Sequence, residues 1–381
     1  MFSTSGSGSE AHVDKAGRAT GTPPDAHDGW IVVETLAEPI DGGALGTVVA
    51  KDGRAKEWTA LQRSVPNKRV ADAARAVVAS VVETGVETSV SVPGMRVPLR
   101  AVPVAGPSRA VHGVLLYVGD DADASPPDVT GWDWTSADRL FEYTTEMDRM
   151  VPRESGRGPS ATAFEFFDRN EDAESAMYLM VALFDADPGT RWDGAITLRT
   201  SRGPRPLRIA LRTVHDEASR DDRITHGLSI ALRDDEFVSP GPSFEAFALR
   251  SLTRDSPTAI ALIDAERVRL TRWLTEPVPD ILWKGQVDQR DTPHPEDIAR
   301  IVSAYRHMHE WVDRKVEIPG VRLRRVDGGW TVVDLRATRI PHERFLMVEF
   351  QPVGFSSEPD PVPVTDTGYP GRGPRPSDRK R

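Results

Sequence analysis

Two short stretches near the end of the chain contain residue types that bind metals or carry protons. The first reads HMHEW, with His307, His309 and Glu310 as possible ligands. His307 and His309 are two positions apart, which places them about 200° apart around a helix, so they cannot hold one ion from one face. His307 and Glu310 share a face, but a third ligand is not evident. Structural zinc usually takes four ligands, so the stretch predicts no metal site.

The second stretch reads HPED and spans 294–297. Pro295 suits the first turn of a helix, and the acidic Glu296 and Asp297 are favoured at the positive end of the helix dipole. The chemistry of a helix start therefore explains the motif and favours a structural role. We predict that His294 either caps this helix or lines a ligand pocket below it.

Aromatic residues gather around the two later helices that the sequence predicts. Large aromatic side chains dominate the burial in most cores, so a place in the core is the first interpretation. If the fold holds a ligand, the cavity between helix and sheet is where it would bind. The predicted ligand-binding residues are then Phe166, Phe184, Trp192, Trp283, His294 and Tyr305.

Several motifs that would identify an enzyme are missing. The sequence contains no G-x-x-x-x-G-K-[ST] phosphate loop and no G-x-S-x-G nucleophile elbow. It contains no cysteine, which excludes disulfides, thiolate metal sites and a covalent flavin–thiol adduct. Non-covalent flavin, haem bound through histidine, and lipid stay compatible with the sequence, although no residue pattern supports them. We predict no enzymatic activity and no cofactor.

Composition narrows the class of protein further. A chain of 381 residues is long enough for two or three domains. Its formal charge of −10 disfavours binding to nucleic acid, because phosphate backbones repel an acidic surface. No apolar run approaches the roughly 18 residues of a membrane helix, and the first residues lack the apolar region of a secretory signal. We expect a soluble, cytoplasmic protein.

One pattern occurs twice. The stretch VHGVLLYVGD begins at Val111 and THGLSIALRD begins at Thr225, and each runs from a His-Gly step through an apolar strand to an acidic exit. Each is followed by an acidic, proline-rich break, at 119–131 and at 233–243, as linkers between domains often are. The repeated ending indicates a repeated fold, although the third segment lacks the His-Gly.

The predicted elements agree with a repeat of three units. Helices are predicted over 67–83, 173–184 and 295–313, each followed by strands that form a meander. A helix on one face of an antiparallel sheet is an α+β architecture. The predicted organisation is a disordered tail (1–28), a domain (29–120), a linker (121–131), a domain (132–236), a linker helix (237–257), a domain (258–354) and a disordered, proline-rich basic tail (355–381).

Two finer expectations concern single elements. Pro98 and Pro103 interrupt one strand of the first segment, so that strand should be an edge strand or bulged. The middle helix is expected to bury one face, made of Ala173, Ala176, Met177, Met180, Val181 and Phe184.

The last two segments resemble PAS domains. The third resembles them in IALIDAERVRLTRWLT and in the HPED turn that enters a helix, and the second in WDGAITLRT, where Trp192 and Gly194 match a common W-x-G strand. The first segment could be PAS-like or GAF-like. The order of segments over 29–353 is similar to an actinobacterial family of triple sensor-domain proteins with one GAF-like and two PAS-like domains. The resemblance implies three tandem sensor folds and a sensory role, and it implies no reaction.

The predicted function is therefore a non-enzymatic sensor or adaptor. It would bind a small molecule or an unknown partner protein and signal by altered domain packing, with homodimerisation as one route to the readout. The alternative is an interaction scaffold whose pockets are filled by side chains and bind no ligand.

Overall fold

A computed structural model gives the architecture of the chain. It describes residues 29–36, 46–65, 67–95, 97–121, 124–136, 139–151, 160–184, 187–215, 223–233, 258–264, 269–282, 292–311, 315–340 and 345–359. The tail predicted over 1–28 and the linker helix predicted over 237–257 lie outside these residues, as does the tail predicted at the other end from residue 360 onward.

The first domain is a six-stranded antiparallel sheet with one long helix on one face. Its elements are β1 (Trp30–Glu34), β2 (Thr47–Lys51), β3 (Arg54–Thr59), a 3₁₀ turn (Leu61–Arg63), α1 (Lys68–Thr84), β4 (Thr88–Ser91), β5 (Pro98–Ala105) and β6 (Val111–Val118). Helix α1 begins where the Asn67 side chain accepts a hydrogen bond from the Val70 amide, and it ends at Gly85 in the left-handed conformation. The strand order is β3-β2-β1-β6-β5-β4.

The second domain also has six strands, in the order β10-β11-β12-β7-β8-β9. Its elements are β7 (Val129–Thr135), β8 (Leu140–Tyr143), α2 (Met147–Met150), β9 (Ser160–Thr162), α3 (Ala163–Asp168), α4 (Ala173–Phe184), β10 (Arg191–Thr200), β11 (Gly203–His215) and β12 (Arg223–Ala231). Strand β7 begins at Val129, so its first three residues belong to the sheet although the sequence placed them in the linker.

The third domain has five strands, in the order β14-β13-β17-β16-β15. Its elements are β13 (Ala259–Asp264), β14 (Arg269–Trp273), α5 (Pro295–Trp311), β15 (Lys315–Arg324), β16 (Trp330–Arg339) and β17 (Phe345–Ser356). Gly328 and Gly329 have positive φ angles and lie in the turn between β15 and β16. Strand β17 continues to Ser356, two residues beyond the expected end of the domain.

The three sheets share one topology. In each sheet the first strand lies between its hairpin partner and the last strand of the same domain, and neighbouring strands are antiparallel. A helix separates the hairpin from the closing meander every time. The α+β class is confirmed in this form, with mostly antiparallel strands in three sheets.

Each domain has its own core between sheet and helix. In the middle domain the buried helical face differs from the expected one, because Leu179 and Leu183 are fully buried and Val181 is only partly buried. The buried face is therefore shifted by one i, i+4 row, because Leu179 and Leu183 are buried whereas Met177 and Val181 are only partly buried. The buried residues of α4 are Ala176, Leu179, Met180, Leu183 and Phe184.

The proline-interrupted strand β5 is bulged and is not at the edge. It lies between β4 and β6, and the pairing with β6 shifts register between Val104 and Ala105. Strand β4 pairs only with the first half of β5, from Pro98 to Ala101. Pro103 therefore lies beyond the β4 ladder, where a missing N–H is tolerated.

The domains are joined through two apolar junctions. The first two sheets pack together through a shared cluster that includes Trp30, Leu115, Tyr117, Leu228 and Ile230. The second and third domains meet where Phe345 enters the core of the middle domain. Among the residues that the structure describes, no helix has both the length and the apolar character needed to cross a membrane.

Candidate functional site

The two repeated His-Gly steps meet at the junction of the first and second sheets. His112 lies on β6 and His226 on β12, which are the closing strands of their domains. Asp133 lies on β7 and is the cross-strand partner of His226. The three side chains form one cluster, and one ligand atom from each lies within 4.8 Å of the others.

The sheets approach closely at this point because two glycines have no side chain. A Cβ at Gly131 would lie 2.6 Å from the carbonyl oxygen of Ala105 in the facing sheet. A Cβ at Gly106 would lie 2.2 Å from Nε2 of His112, inside the space that the imidazole ring occupies. Glycine at these positions therefore brings the two backbones together and leaves room for the His112 ring.

Distances within the cluster identify the role of each nitrogen. Nδ1 of His226 lies 2.5 Å from Oδ1 of Asp133, a short charge-assisted hydrogen bond. Nδ1 of His112 lies 3.3 Å from the carbonyl oxygen of Gly227. A carbonyl can only accept, so Nδ1 of His112 carries a proton and donates it. Nε2 of His112 faces Oδ1 of Asp133 at 3.4 Å and has no hydrogen-bond partner.

Burial controls the protonation of His112. The residue is 2% exposed, and removal from water lowers the pKa of His112 to about 4. The Asp133 carboxylate acts in the opposite direction but does not outweigh burial. At neutral pH the imidazole is therefore uncharged, and the lone pair on Nε2 points toward a carboxylate oxygen.

A buried ion pair lies beside the cluster. Glu34 on β1 is fully buried, and its carboxylate accepts hydrogen bonds from Nη2 of Arg212 at 2.9 Å and from Nε at 3.3 Å. The hydroxyl of Thr47 and the amide of Leu36 also donate to this carboxylate. Arg212 is the cross-strand neighbour of His226, so the ion pair connects the two sheets next to the histidines.

Trp58 links the same sheets at their edges. Its indole N–H donates to Oδ1 of Asp193 at 2.6 Å, and Asp193 also pairs with Arg208. The guanidinium groups of Arg191 and Arg212 lie 5.4 and 5.0 Å from the centre of the Trp58 ring, within the range of cation–π attraction. The first junction therefore combines an apolar cluster with several buried polar contacts.

Family models match both ends of the described fold. Residues 29–128 match the model described as Rv3651-like, N-terminal, and residues 252–348 match the Rv3651-like, C-terminal domain. Together these stretches cover more than half of the 381 residues. The chain belongs to the Rv3651-like family. Neither description names a GAF or a PAS domain.

A crystal structure of an uncharacterised protein from Mycobacterium tuberculosis has a similar fold. It is 19% identical, with a TM-score of 0.66, over 86% of this Rv3651-like chain and 96% of that chain. The family models and this mycobacterial structure together support an actinobacterial family. No curated protein sequence matches the chain.

Two sensor proteins are similar only at a low level. One is an RNA-binding light-oxygen-voltage receptor (12% identity, TM-score 0.23, 59% of this chain and 95% of that chain). The other is the periplasmic sensory domain of a Campylobacter jejuni chemoreceptor (11% identity, TM-score 0.16, 57% of this chain and 76% of that chain). These scores are too low for either protein to bear on the function of the Rv3651-like chain.

The aromatic residues predicted to line a ligand cavity in the middle domain lie inside its core. Phe166 stacks on Phe141 with ring centres 4.2 Å apart, and Phe184 packs against Trp134 at 5.2 Å. Trp192 is partly buried and packs against the same core. These rings therefore contact other aromatic rings of the core, and a binding role for the three residues stays a prediction.

The other predicted ligand-binding residues belong to the third segment. His294 is 3% exposed, and its Nδ1 accepts a hydrogen bond from the Glu296 amide at 3.3 Å, so the side chain caps α5. Tyr305 is partly buried against the core of the third domain. Trp283 lies outside the described residues.

The HMHEW stretch belongs to the end of α5. His307 is exposed, while the side chains of His309 and Glu310 lie outside the part of the chain that the structure describes. The helix itself is described to Trp311, and residues 312 and 313 of the predicted extent lie outside the described residues.

Sequence reasoning missed the His112–Asp133–His226 cluster. The signal was present, because both histidines stand in the repeated ending, but the repeat was interpreted only as a marker of the fold. Two equivalent strand positions on similar domains meet if the sheets pack face to face, and glycine beside each histidine favours such close packing. Asp133 gave no comparable signal in the sequence.

Proposed function

We propose that the chain is a non-enzymatic, cytoplasmic sensor or adaptor of three PAS/GAF-like domains, which signals through the packing of its first two sheets. The observation that carries this proposal is the buried, ionisable cluster of His112, Asp133 and His226 at that junction. No reaction is assigned to it.

The shared topology supports the domain type. Each domain has a central first strand, a hairpin partner on one side, the closing strand on the other, and a helix before the meander. This arrangement agrees with the resemblance of the second and third segments to PAS domains and of the first to a PAS or GAF domain.

The aromatic packing in the core of the middle domain makes the space beneath its helix a weaker candidate for a ligand site. Phe141, Phe166 and Phe167 are in mutual ring contact within that core. This packing favours the scaffold alternative for that domain. The first junction is different, because Nε2 of His112 has no hydrogen-bond partner and the ion-pair partners of Asp133 among the described residues are histidines.

Electrostatics explain why such a junction would respond to a signal. A ligand shifts an equilibrium between two arrangements only if it binds one of them more tightly. Asp133 is 6% exposed, and its ion pairs within the described part of the chain are both with histidines. A buried carboxylate without a firm counter-charge is costly, so a bound cation or donor that satisfies it would favour one packing of the sheets.

The absence of cysteine allows a direct test. We would introduce Glu83→Cys in α1 and Arg202→Cys in the β10–β11 turn, both exposed, and attach spin labels to measure the distance between the first two domains. The panel is haem, flavin mononucleotide, ATP, palmitate and ZnCl₂. A compound at 100 times its dissociation constant should stabilise the protein by about 2.7 kcal/mol and also shift the distance.

A second label pair provides the control. Arg202→Cys combined with Asp327→Cys in the β15–β16 turn spans the second junction, where we expect no change of distance. If no compound shifts either the unfolding temperature or the distance between the first two domains, the scaffold alternative replaces the sensor proposal.

A further inference from the structure

Nε2 of His112 stands out among the buried polar atoms of the first junction. It belongs to a side chain that is 2% exposed, it has no hydrogen-bond partner, and it points at Oδ1 of Asp133 from 3.4 Å. The proton of the neutral ring is on Nδ1, which faces the carbonyl of Gly227. Two electron-pair donors therefore face each other in a space with little water, an arrangement that a cation between them would stabilise.

We propose that His112, Asp133 and His226 form a binding site for a divalent transition-metal ion, with Zn²⁺ as the ion to test. The ligands would be Nε2 of His112, Oδ1 of Asp133 and Nδ1 of His226, with water in a fourth position. The site lies at the junction on which the proposed function depends, so its biological role as a sensor input rests on that proposal.

The donor set matches this metal class. Imidazole nitrogen and carboxylate oxygen are common zinc ligands, and sites with three protein ligands keep an open position for water. The side chain of His226 is 21% exposed, so the cluster reaches solvent on one side, where the water and the entering ion would be. The charge also fits, since Asp133 supplies one negative charge and Arg212 is already engaged by Glu34.

The ligand atoms of the three side chains lie within 4.8 Å of one another, so a metal would need moderate adjustment of their spacing. Ligand atoms around tetrahedral zinc lie about 3.3 Å apart, because zinc–nitrogen and zinc–oxygen bonds are about 2.0 to 2.1 Å long. The 3.4 Å between His112 Nε2 and Asp133 Oδ1 fits that spacing. The 2.5 Å between His226 Nδ1 and Asp133 Oδ1 is a hydrogen-bond distance and must lengthen. His226 would then carry its proton on Nε2.

The surroundings already orient the ligands as metal sites require. Histidine ligands usually donate their second ring N–H to a carbonyl or carboxylate, which fixes the ring and its tautomer. The Gly227 carbonyl does this for His112 across the junction. Because that carbonyl belongs to the second sheet and the ring to the first, a metal here would connect the two domains.

The test uses the full chain after treatment with EDTA and dialysis. We would titrate ZnCl₂ by calorimetry at pH 7.5 and record the absorption of the Co²⁺ form, which reports imidazole and carboxylate coordination. The expected result is one site per chain. Asp133→Asn, which is nearly isosteric, and His226→Ala, which changes a partly exposed residue, should each weaken binding by at least ~10-fold.

His215→Ala is the matched control, because His215 is an exposed histidine at the end of β11 in the same sheet. It should bind Zn²⁺ as the unchanged chain does. Equal affinity of the unchanged chain and His226→Ala, or an equal loss in His215→Ala, would overturn the proposed site. Circular dichroism checks that each variant is folded, and His226→Ala decides the question if Asp133→Asn is not.

The spin-labelled chain separates this inference from the proposed function. Binding of Zn²⁺ without a change in the distance between the labels at 83 and 202 would keep the metal site and remove its role in signalling. No binding of Zn²⁺, together with a distance change caused by another compound of the panel, would remove the metal site and keep the sensor.

Discussion

The two junctions join domains of the same topology, but they differ in how completely their buried charged side chains are paired. At the second junction Arg139 pairs with Asp264 at 3.2 Å, both residues being buried, and the Arg139 guanidinium lies 4.3 Å from the centre of the Phe184 ring. Arg272 donates to the carbonyl oxygens of Phe167 and Asn170 at 3.0 and 2.9 Å. Every one of these charged groups has a partner of opposite charge or a carbonyl.

The first junction leaves one of its buried groups incompletely paired. Glu34 and Arg212 form a complete ion pair there, but the ion-pair partners of Asp133 in the described part of the chain are two histidines, of which His112 is uncharged at neutral pH. Nε2 of His112 has no hydrogen-bond partner. A complete ion pair stabilises one arrangement of the two domains. A buried carboxylate with no fixed positive partner is stabilised when a cation binds, so cation binding can favour one arrangement over another. We infer that the second junction holds its domains in place and that the first can respond.

The largest effect should come from breaking the second junction. Asp264→Asn keeps the shape of the side chain but removes the negative charge that lies 3.2 Å from Nε of the buried Arg139, which should cost about 4 kcal/mol of unfolding free energy. Urea denaturation followed by tryptophan fluorescence measures this. Asp128→Asn is the control, because Asp128 pairs with Arg205 on the surface at 3.3 Å and should lose less than about 1 kcal/mol. Similar losses in both variants would mean that the second junction is not held by its ion pair.

The next effect tests the close approach of the first two sheets. In Gly131→Ala the new Cβ would meet the Ala105 carbonyl oxygen at 2.6 Å and the Gly106 Cα at 3.0 Å. Both are backbone atoms that cannot move aside alone, so we expect a loss of about 3 kcal/mol by scanning calorimetry. Hydrogen exchange should increase in β5 and β7.

Gly354→Ala is the matched control for that glycine. Gly354 lies in β17, and a Cβ there meets nothing within 4 Å. The free energy of unfolding of the Gly354→Ala variant should differ from that of the unchanged chain by less than about 0.5 kcal/mol. If Gly131→Ala is equally harmless, the first junction is more loosely packed than the structure indicates.

Local patterns predicted the elements of the fold well, and contacts between domains poorly. The helix beginning at Asn67 and the HPED helix start depend on neighbours in sequence, and the structure contains both. The meeting of His112 with Asp133 and His226 depends on how two sheets pack. Nothing in the local sequence around Asp133 encodes that packing. The burial of Leu179 and Leu183 was missed for the same reason, because tertiary packing decides which face of α4 is buried.

The buried carboxylate of Asp297 in the third domain differs from Asp133 in its partners, which are arginines and not histidines. Burial tends to raise the pKa of Asp297, but hydrogen bonds from the side chain and amide of Arg322 and from Arg300 outweigh it, and the pKa lies below its usual range. The folded state therefore favours the charged form. This stabilisation is fully present above a pH of about 4, the ordinary carboxyl pKa, and is lost as the pH falls through the lower value of the folded state.

Asp297→Asn should accordingly cost about 2 kcal/mol at pH 7, in the range of hydrogen bonds to charged groups. The difference from the unchanged chain should stay constant between pH 6 and 8 and shrink at pH 3. Urea unfolding of both proteins at these pH values measures it. A difference that already falls between pH 8 and 6 would show that Asp297 is not held by its arginines.

The smallest effect distinguishes the polar and the aromatic contributions of Trp58 to the first junction. Trp58→Phe removes the N–H that donates to Asp193 but keeps a ring beside Arg191 and Arg212. Asp193 retains Arg208 as a partner, so no buried carboxylate is left unpaired, and the cost should be about 1 kcal/mol. Trp58→Leu also removes the cation–π attraction and should lose roughly 1 kcal/mol more. Equal losses would show that only the hydrogen bond of Trp58 contributes, and the first junction would then owe its stability to its apolar cluster and to the Glu34–Arg212 pair.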